Sequence, residues 1–203
     1  MTHSKEQARY DELRQSRPDL FVVRDENCYP IRSGGEVIAE NAHLLLLDDQ
    51  VLSPDGKQSS YLRVVSPTDG SPGAAILPIA DGMIVLLDHP RHAIGQRALE
   101  VPRGFGEQGE TAENCARREL EEELGVSAEQ LVPLGGLHPD TGLLAAEVAL
   151  FAATVPSAGW KTESGVEVQL MSVADTEKAI CEGSISDSFT IACVYRARLR
   201  GII

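Results

Sequence analysis

Residues 104–126 constrain this chain more than any other part of its sequence. They read Gly-Phe-Gly-Glu-Gln-Gly-Glu-Thr-Ala-Glu-Asn-Cys-Ala-Arg-Arg-Glu-Leu-Glu-Glu-Glu-Leu-Gly-Val. The fixed positions follow the spacing Gly-x5-Glu-x7-Arg-Glu-U-x-Glu-Glu-x-Gly-U, in which U is an aliphatic residue. Ordinary residue frequencies give a chance match to this pattern a probability of about one in a million or less. A pattern this specific predicts a defined chemical site.

The second half of this segment predicts a single helix. Thr111 or Glu110 can open it, the run 112–124 has high helix propensity, and Gly125 ends it. At about 100° per residue, three acidic side chains fall within roughly one 100° arc, namely Glu119, Glu122 and Glu123. A neighbouring apolar stripe, which can dock the helix on a core, consists of Ala116, Leu120 and Leu124.

Three carboxylates on one helix face repel one another, so this arrangement favours the binding of divalent cations. Hard oxygen ligands select Mg²⁺ or Mn²⁺, which keep coordination positions open for phosphate oxygens. Such ions can neutralise a diphosphate, position it and lower the pKa of an attacking water. The alternative interpretation is a solvated acidic helix face, which is the usual role of a run of glutamates.

The segment resembles the Nudix box, which marks hydrolases that cleave a nucleoside diphosphate linked to another group, X. The resemblance implies that Glu119 and Glu123 are the principal metal ligands and that Glu122 assists them. A backbone carbonyl at the start of the box, from Arg103 or Gly104, would complete the metal site.

The resemblance also implies that Arg118 and Glu110 form a structural ion pair that holds the loop to the helix. Every essential position of the box is filled in this chain, which favours a metal-dependent diphosphatase. The alternative from another functional class is a Nudix-fold sensor that binds a nucleotide derivative without turnover.

Around the box, the sequence resembles the ADP-ribose and nucleoside-diphosphosugar pyrophosphatases of this superfamily. These proteins carry a strand, an arginine-containing turn and Leu-Glu-U-Pro-x-Gly before the box, as do residues 85–104. They also carry a Pro-Gly loop, a glutamate and a strand ending in Phe, which residues 138–151 resemble. The implied substrate is ADP-ribose or a nucleotide sugar. The marks of CoA and NADH diphosphatases are absent from the sequence, and MutT-like triphosphatases are usually shorter.

This resemblance assigns roles to residues outside the helix. Arg91 is a candidate phosphate ligand, because a planar guanidinium suits a pair of diphosphate oxygens; an ordinary surface arginine is the alternative. Arg103 stands where the family usually has a small residue, and its side chain can reach the phosphates or point away. Glu100 is expected on the strand entering the site, where it can bind metal, order the box arginine or serve structurally. Glu147 is a candidate general base, and Glu123 is its competitor.

Isolated histidines and cysteines give weaker indications of function. His89 and His92 flank Arg91, but isolated loop histidines are more often neither ligands nor substrate contacts. Four isolated cysteines predict reduced thiols in a cytoplasmic protein rather than a zinc site or a disulfide framework: Cys28, Cys115, Cys181 and Cys193.

Charge and apolar patterning restrict the partners. A net charge of −13 without a basic track argues against a nucleic-acid polymer. A small anionic substrate remains compatible, because metal ions and a few arginines can make one site locally positive. The longest apolar run, residues 42–47, is far shorter than the ~20 residues of a membrane span. The first residues lack the apolar core of a signal peptide.

Hydrophobic periodicity predicts a mixed α/β (α+β) fold, and 203 residues suit one domain with a small subdomain. Besides the box helix, helices are predicted at 3–15, 174–182 and 187–199. Strands are predicted at 36–40, 43–51, 60–65, 74–79, 83–88, 131–138 and 147–155. A turn starting at Pro54 and a linker at 66–73 separate some of them. The order is similar to the Nudix α/β/α sandwich over residues 71–203, preceded by a helical and β-rich subdomain over residues 1–70.

The strands within residues 36–66 are predicted to form a good apolar face but are too few to build a core alone. These positions are Val37, Ile38, Leu44, Leu46, Leu62 and Val64. In the resembling pyrophosphatases this region pairs with a second subunit and can contribute to its substrate pocket. The resemblance therefore implies a homodimer.

Overall fold

The computed structural model describes residues 4–22, 28–32, 34–53, 55–66 and 71–203. These residues form two compact units. One holds the described residues of 1–70 together with Asp140–Ala146, and the other holds Ser71–Pro139 together with Glu147–Ile203. Pro54 of the predicted turn and residues 67–70 of the predicted linker lie outside the described residues. No helix in the described ranges is long and apolar enough to cross a membrane.

The first unit is a three-stranded antiparallel sheet with helices on one face. Its strands pair in chain order and are β1 (Glu36–Glu40), β2 (Leu45–Leu52) and β3 (Gln58–Val65). Its helices are α1 (Lys5–Ser16) and a short 3-10 helix (Pro18–Phe21). Ser4 is the N-cap residue of α1, and its hydroxyl accepts a hydrogen bond from the Gln7 N–H, which satisfies an otherwise unpaired donor.

The two faces of this sheet differ in burial. One face and α1 enclose a core of Tyr10, Leu13, Val37, Leu45, Leu47 and Val65. Outside this core, Ile38 is 48% exposed and Leu62 is 50% exposed. Of the six apolar positions predicted within 36–66, Val37 lies on the face that α1 covers, whereas Leu46 and its partner Val64 lie on the other face.

The second unit is a mixed sheet with helices on both faces. Its strands are β4 (Gly73–Ala80), β5 (Met83–Arg91), β6 (Gln96–Glu100), β7 (Arg103–Gly104), β8 (Gln130–Leu137), β9 (Val148–Thr154) and β10 (Glu167–Met171). Its helices are α2 (Ala112–Leu124), α3 (Val173–Glu182) and α4 (Ser188–Leu199). The strand order is β10-β5-β4-β9-β8, with β6 beside β5 and β7 beside β4. Strands β4 and β9 are parallel.

Strand β4 lies at the centre of this unit and is buried on both faces. Ala74 and Ile76 pack in one core cluster with α2, whereas Ala75 and Leu77 pack in a second cluster with α4. Such alternation follows from the two-residue period of a strand. The mixed α/β fold expected from the sequence is confirmed.

Strands β7 and β10 were not predicted from the sequence. Strand β7 is only two residues long, so it has no period to detect. Strand β10 is an edge strand of its sheet, and most of its residues are exposed. Neither strand gives the run of buried residues by which a strand is recognised.

Candidate active site

Helix α2 is fixed at both ends by residues that the sequence indicated. Thr111, rather than Glu110, is the N-cap residue, and its hydroxyl accepts a hydrogen bond from the Asn114 N–H at 3.2 Å. Gly125 ends the helix with a φ of 69°, a left-handed conformation that favours glycine. The stripe that docks the helix on β4 is fully buried and comprises Cys115, Ala116, Leu120 and Leu124.

Gly104 lets the start of the box approach α2 closely. It pairs with Ala74 of β4 through the short strand β7. A Cβ atom at Gly104 would lie 2.1 Å from Oε1 of Glu119, which is much closer than atoms can approach. The missing side chain therefore allows the buried Glu119 carboxylate to lie against the first residue of the box.

Arg118 is the centre of an ion-pair cluster on α2. Its guanidinium lies 3.0 Å from Glu110, 2.6 Å from Glu119 and 2.9 Å from Glu122. It also donates to the Phe105 carbonyl at 2.8 Å. The hydrogen bond from Arg118 lowers the pKa of Glu110, and the same contact raises the pKa of Arg118. The cluster ties the loop before α2 to the helix and holds two of the three predicted metal-binding glutamates.

Glu123 is half-buried and accepts a hydrogen bond from the Arg103 N–H at 3.1 Å. Burial raises the pKa of Glu123 to about 7; the Arg103 hydrogen bond opposes this shift, and the charges of Glu119 and Glu100 add to it. Burial also raises the pKa of Glu119, although Arg118 pulls it down. A divalent cation among these carboxylates would favour their charged forms.

The chemistry of these side chains fits a divalent cation. Glu119, Glu122 and Glu123 supply hard oxygen ligands on one helix, and Gly104 leaves space beside Glu119. Among the described residues, no three acidic, histidine or cysteine side chains already converge as a coordination sphere. Oxygens of these glutamates instead accept hydrogen bonds from protein donors. A bound cation would replace part of those contacts.

Next to Glu123, the buried carboxylate of Glu100 binds two arginines. Oε1 accepts a hydrogen bond from Nε of Arg91, and Oε2 accepts one from Nη2 of Arg103 at 3.3 Å. Nε of Arg103 is buried and has no hydrogen-bond partner among the described residues, although Asp187 Oδ1 lies 4.0 Å away. The two guanidiniums therefore share one buried carboxylate beside the acidic helix, with Asp187 as a more distant counter-ion of Arg103.

A residue that sequence reasoning missed, Glu163, shares a small cavity with Glu123. The cavity is lined by Leu87, His89, Glu123, Glu163 and Val166. The volume of this cavity is ≈ 10 Å³, which is about the minimum that holds one water molecule. Glu163 lies in the irregular segment between β9 and β10, where no spacing to the box marks it. The pairing of β10 with β5 and a hydrogen bond from the Lys161 N–H to the Leu124 carbonyl bring this segment to the site.

Glu147 lies just before β9, and its carboxylate rests against β8. A Cβ atom at Gly136 would lie 1.8 Å from Oε1 of Glu147, so this glycine leaves the space that the carboxylate occupies. The other predicted base, Glu123, borders the water-sized cavity. His92 is exposed at the start of the turn after β5.

Comparison with known proteins shows the family of the chain. The model of the NUDIX domain family matches residues 71–183, which is more than half of the chain. The chain therefore belongs to the Nudix family and is a Nudix hydrolase. Members of the family act on small nucleoside diphosphate derivatives and generally use divalent metals.

Two relatives and one solved structure show how far the similarity extends. The ADP-ribose pyrophosphatase of Bacillus subtilis (strain 168) is 27% identical over 158 residues, which cover 75% of this chain and 83% of that protein. The ADP-sugar pyrophosphatase of Mus musculus is 30% identical over 126 residues, which cover 58% of this chain and 54% of that protein. A crystal structure of an ADP compounds hydrolase shares the fold, with a TM-score of 0.73 at 17% identity over 89% of this chain and 98% of that one.

The close approach at Gly104 yields a prediction about metal binding. In Gly104→Ala, the added Cβ must displace the Glu119 carboxylate, so we expect Mn²⁺ affinity to fall about tenfold or more. Titration calorimetry measures this change, and Glu113→Gln is the control because Glu113 is an exposed glutamate of the same helix. Equal Mn²⁺ affinities for Gly104→Ala and the parent protein would contradict the proposed site.

Proposed function

We propose that this protein is a metal-dependent diphosphatase that hydrolyses a nucleoside diphosphate linked to X, with ADP-ribose or a nucleotide sugar as substrate. The products are a nucleoside monophosphate and a phosphorylated X. The proposal rests mainly on the packing of the Glu119 carboxylate against Gly104. Glu123 follows one turn along the same helix. Similarity to an ADP-ribose and an ADP-sugar pyrophosphatase supports this substrate class.

Mg²⁺, or alternatively Mn²⁺, is the proposed cofactor. Its proposed ligands all come from the box and are Glu119, Glu122, Glu123 and the carbonyl of Gly104. When bound, the ion would neutralise diphosphate charge and lower the pKa of the attacking water. Arg118 holds two of these carboxylates in place and is itself held by Glu110. We therefore assign Arg118 and Glu110 a structural role in preorganising the site.

Arg91 and Arg103 are proposed to bind the diphosphate. Glu100 accepts one N–H from each guanidinium, which fixes the two groups and leaves further donors for charged oxygens. The buried Nε of Arg103 lacks a partner among the described residues, and an unpaired buried donor is costly. An anionic ligand would offset that cost. Glu100 thus acts as an anchor for arginines rather than as a metal ligand.

Glu163 is the proposed general base, ahead of Glu147. The water-sized cavity lies between Glu163 and Glu123, so a carboxylate there is within reach of a water molecule. The base accepts a proton as the water oxygen bonds to phosphorus and the bond from phosphorus to the bridging oxygen breaks. Glu123 is the alternative base because it borders the same cavity and its pKa is raised to about 7.

The experiment that tests this function is a substrate panel with Mg²⁺, followed by release of nucleoside monophosphate. The panel contains ADP-ribose, ADP-glucose, GDP-mannose, UDP-glucose, NADH, CoA and deoxynucleoside triphosphates. We expect turnover of ADP-ribose or a nucleotide sugar and none in EDTA. Binding without turnover of any compound would support the alternative, a ligand-binding Nudix module. Turnover of the triphosphates alone would overturn the proposed substrate class.

Loss of either principal ligand should abolish most of the activity. We expect Glu119→Gln and Glu123→Gln each to lower turnover at least about a hundredfold, because each removes a charge that stabilises the transition state through the metal. Steady-state kinetics on the best panel substrate measures the effect. Glu113→Gln, which changes an exposed glutamate of the same helix, is the matched control. Near-normal turnover of either ligand variant would refute the mechanism.

The two candidate loop bases make opposite predictions. If Glu163 accepts the proton, Glu163→Gln should lower kcat by roughly 10²–10⁴-fold with little change in KM, whereas Glu147→Gln should keep most of its kcat. Both variants are to be compared on one substrate at saturating Mg²⁺. Loss of kcat in Glu147→Gln alone would assign the role to Glu147. Full kcat in both variants would leave Glu123 as the base.

We also propose a homodimer that uses the first unit. Two apolar side chains of its sheet, Ile38 and Leu62, are 48% and 50% exposed, and such exposed apolar area is typical of interfaces. A symmetric contact between identical patches would cover them. The resemblance to dimeric pyrophosphatases points to the same region.

Light scattering at micromolar concentration tests the assembly. We expect twice the mass of the chain for the parent protein and the mass of a single chain for Leu62→Asp, because a charge at the interface opposes burial. Leu199→Asp is the control, since Leu199 is 68% exposed on α4 of the other unit. A fully active monomeric parent protein would contradict the proposed dimer.

A further inference from the structure

The segment 160–166, between β9 and β10, is attached to the C-terminal end of α2. The N–H of Lys161 donates to the carbonyl of Leu124 at 2.8 Å. A Cβ atom at Gly125 would lie 2.9 Å from Cβ and 3.2 Å from N of Lys161. Gly125 therefore has two roles. It ends the helix, and its missing side chain leaves the space that Lys161 of this segment occupies. The last glycine of the box thus links α2 to a segment far along the chain.

Arg97 of β6 attaches the other end of the segment. Its Nη2 donates to the carbonyl of Gly165 at 3.1 Å and to the carbonyl of Asp88 at 2.6 Å. Its Nε donates to the Asp88 carboxylate at 2.9 Å. A planar guanidinium can satisfy three acceptors in a fixed geometry, which a lysine cannot reproduce. One side chain thereby joins β5, β6 and the segment.

Between these two attachments the segment forms a closed turn that carries Glu163. The Val166 N–H donates to the Glu163 carbonyl at 3.2 Å, and the Thr162 hydroxyl donates to the Val166 carbonyl at 2.8 Å. Val166 and Trp160 pack against the core cluster beneath α2. Glu163 of this turn is exposed and lines the same small cavity as Glu123.

We propose that Arg97 is a positioning residue, whose guanidinium fixes the segment so that Glu163 stays beside Glu123. This inference rests on the proposed function, because it concerns the base of that reaction. The ion pair with Asp88 leaves the Arg97 side chain 44% exposed, and exposed pairs of this kind contribute little to overall stability. Arg97 therefore acts mainly on the position of the Glu163 carboxylate. A misplacement of a catalytic group by about 1 Å can lower the reaction rate about a hundredfold.

The test compares Arg97→Ala and Arg97→Lys with Arg117→Ala. Arg117 is a matched control because its side chain is 43% exposed and forms one ion pair, with Glu113. We expect both Arg97 variants to lose about tenfold or more in kcat with KM nearly unchanged, and Arg117→Ala to keep its kcat. In the Glu163→Gln background, Arg97→Ala should lower kcat no further, since both changes remove the same function.

A second readout does not depend on turnover. Trp160 is the single tryptophan of the chain and the first residue of the segment, so its fluorescence reports local order. Acrylamide should quench Trp160 more strongly in Arg97→Ala than in the parent or in Arg117→Ala, at an unchanged unfolding midpoint.

Unchanged quenching, an unchanged kcat, or additive losses in the double variant would each overturn the positioning role. Full activity of Glu163→Gln would overturn it as well. A parent protein that turns over no compound of the substrate panel would instead refute the proposed function, and the quenching result would still decide whether Arg97 holds the segment.

Discussion

Burial of the apolar stripe of α2 against β4 is the interaction on which the rest of the site depends. Leu120 and Leu124 are completely buried, and burial of each such side chain contributes about 1.5–3 kcal/mol. With the helix fixed, Glu119 and Glu123 have only one position relative to the strand that precedes the box. Gly104 then allows the carboxylate of Glu119 to meet that strand, and Gly125 allows the segment carrying Glu163 to reach the other end of the helix.

Ion pairs with arginines partly compensate the charge of this acidic site. The chain has a net charge of −13, yet several carboxylates of the site have arginine partners. Arg118 pairs with three glutamates, and Glu100 pairs with two arginines. Burial still raises the pKa of Glu119 and of Glu123, so the protein holds carboxylates where a divalent cation would stabilise their charge. Because an uncompensated charge in such a site is costly, the arginines and the cation have complementary roles.

The sequence predicted those features of the site that are set by residues close together in the chain. The cap at Thr111, the stop at Gly125 and the buried stripe of α2 all follow from helical periodicity and capping preferences. The sequence could not indicate Glu163 or Arg97, because their roles arise only when β10 pairs with β5 and β6 folds back on β5. For the same reason, the pattern within 36–66 did not separate Val37 from its exposed neighbours. That division depends on α1, which lies elsewhere in the sequence.

The proposed site holds a divalent cation between a diphosphate and the glutamates of α2, with the carbonyl of Gly104 as a further ligand. Anomalous diffraction from crystals soaked with Mn²⁺ and a methylene-bridged analogue of ADP-ribose tests this arrangement most directly. Manganese peaks are expected within about 2–2.5 Å of oxygens of Glu119 and Glu123, with the bridged phosphates next to Arg91 and Arg103. Manganese bound away from these glutamates, or an analogue bound with no metal between it and α2, would contradict the proposed site.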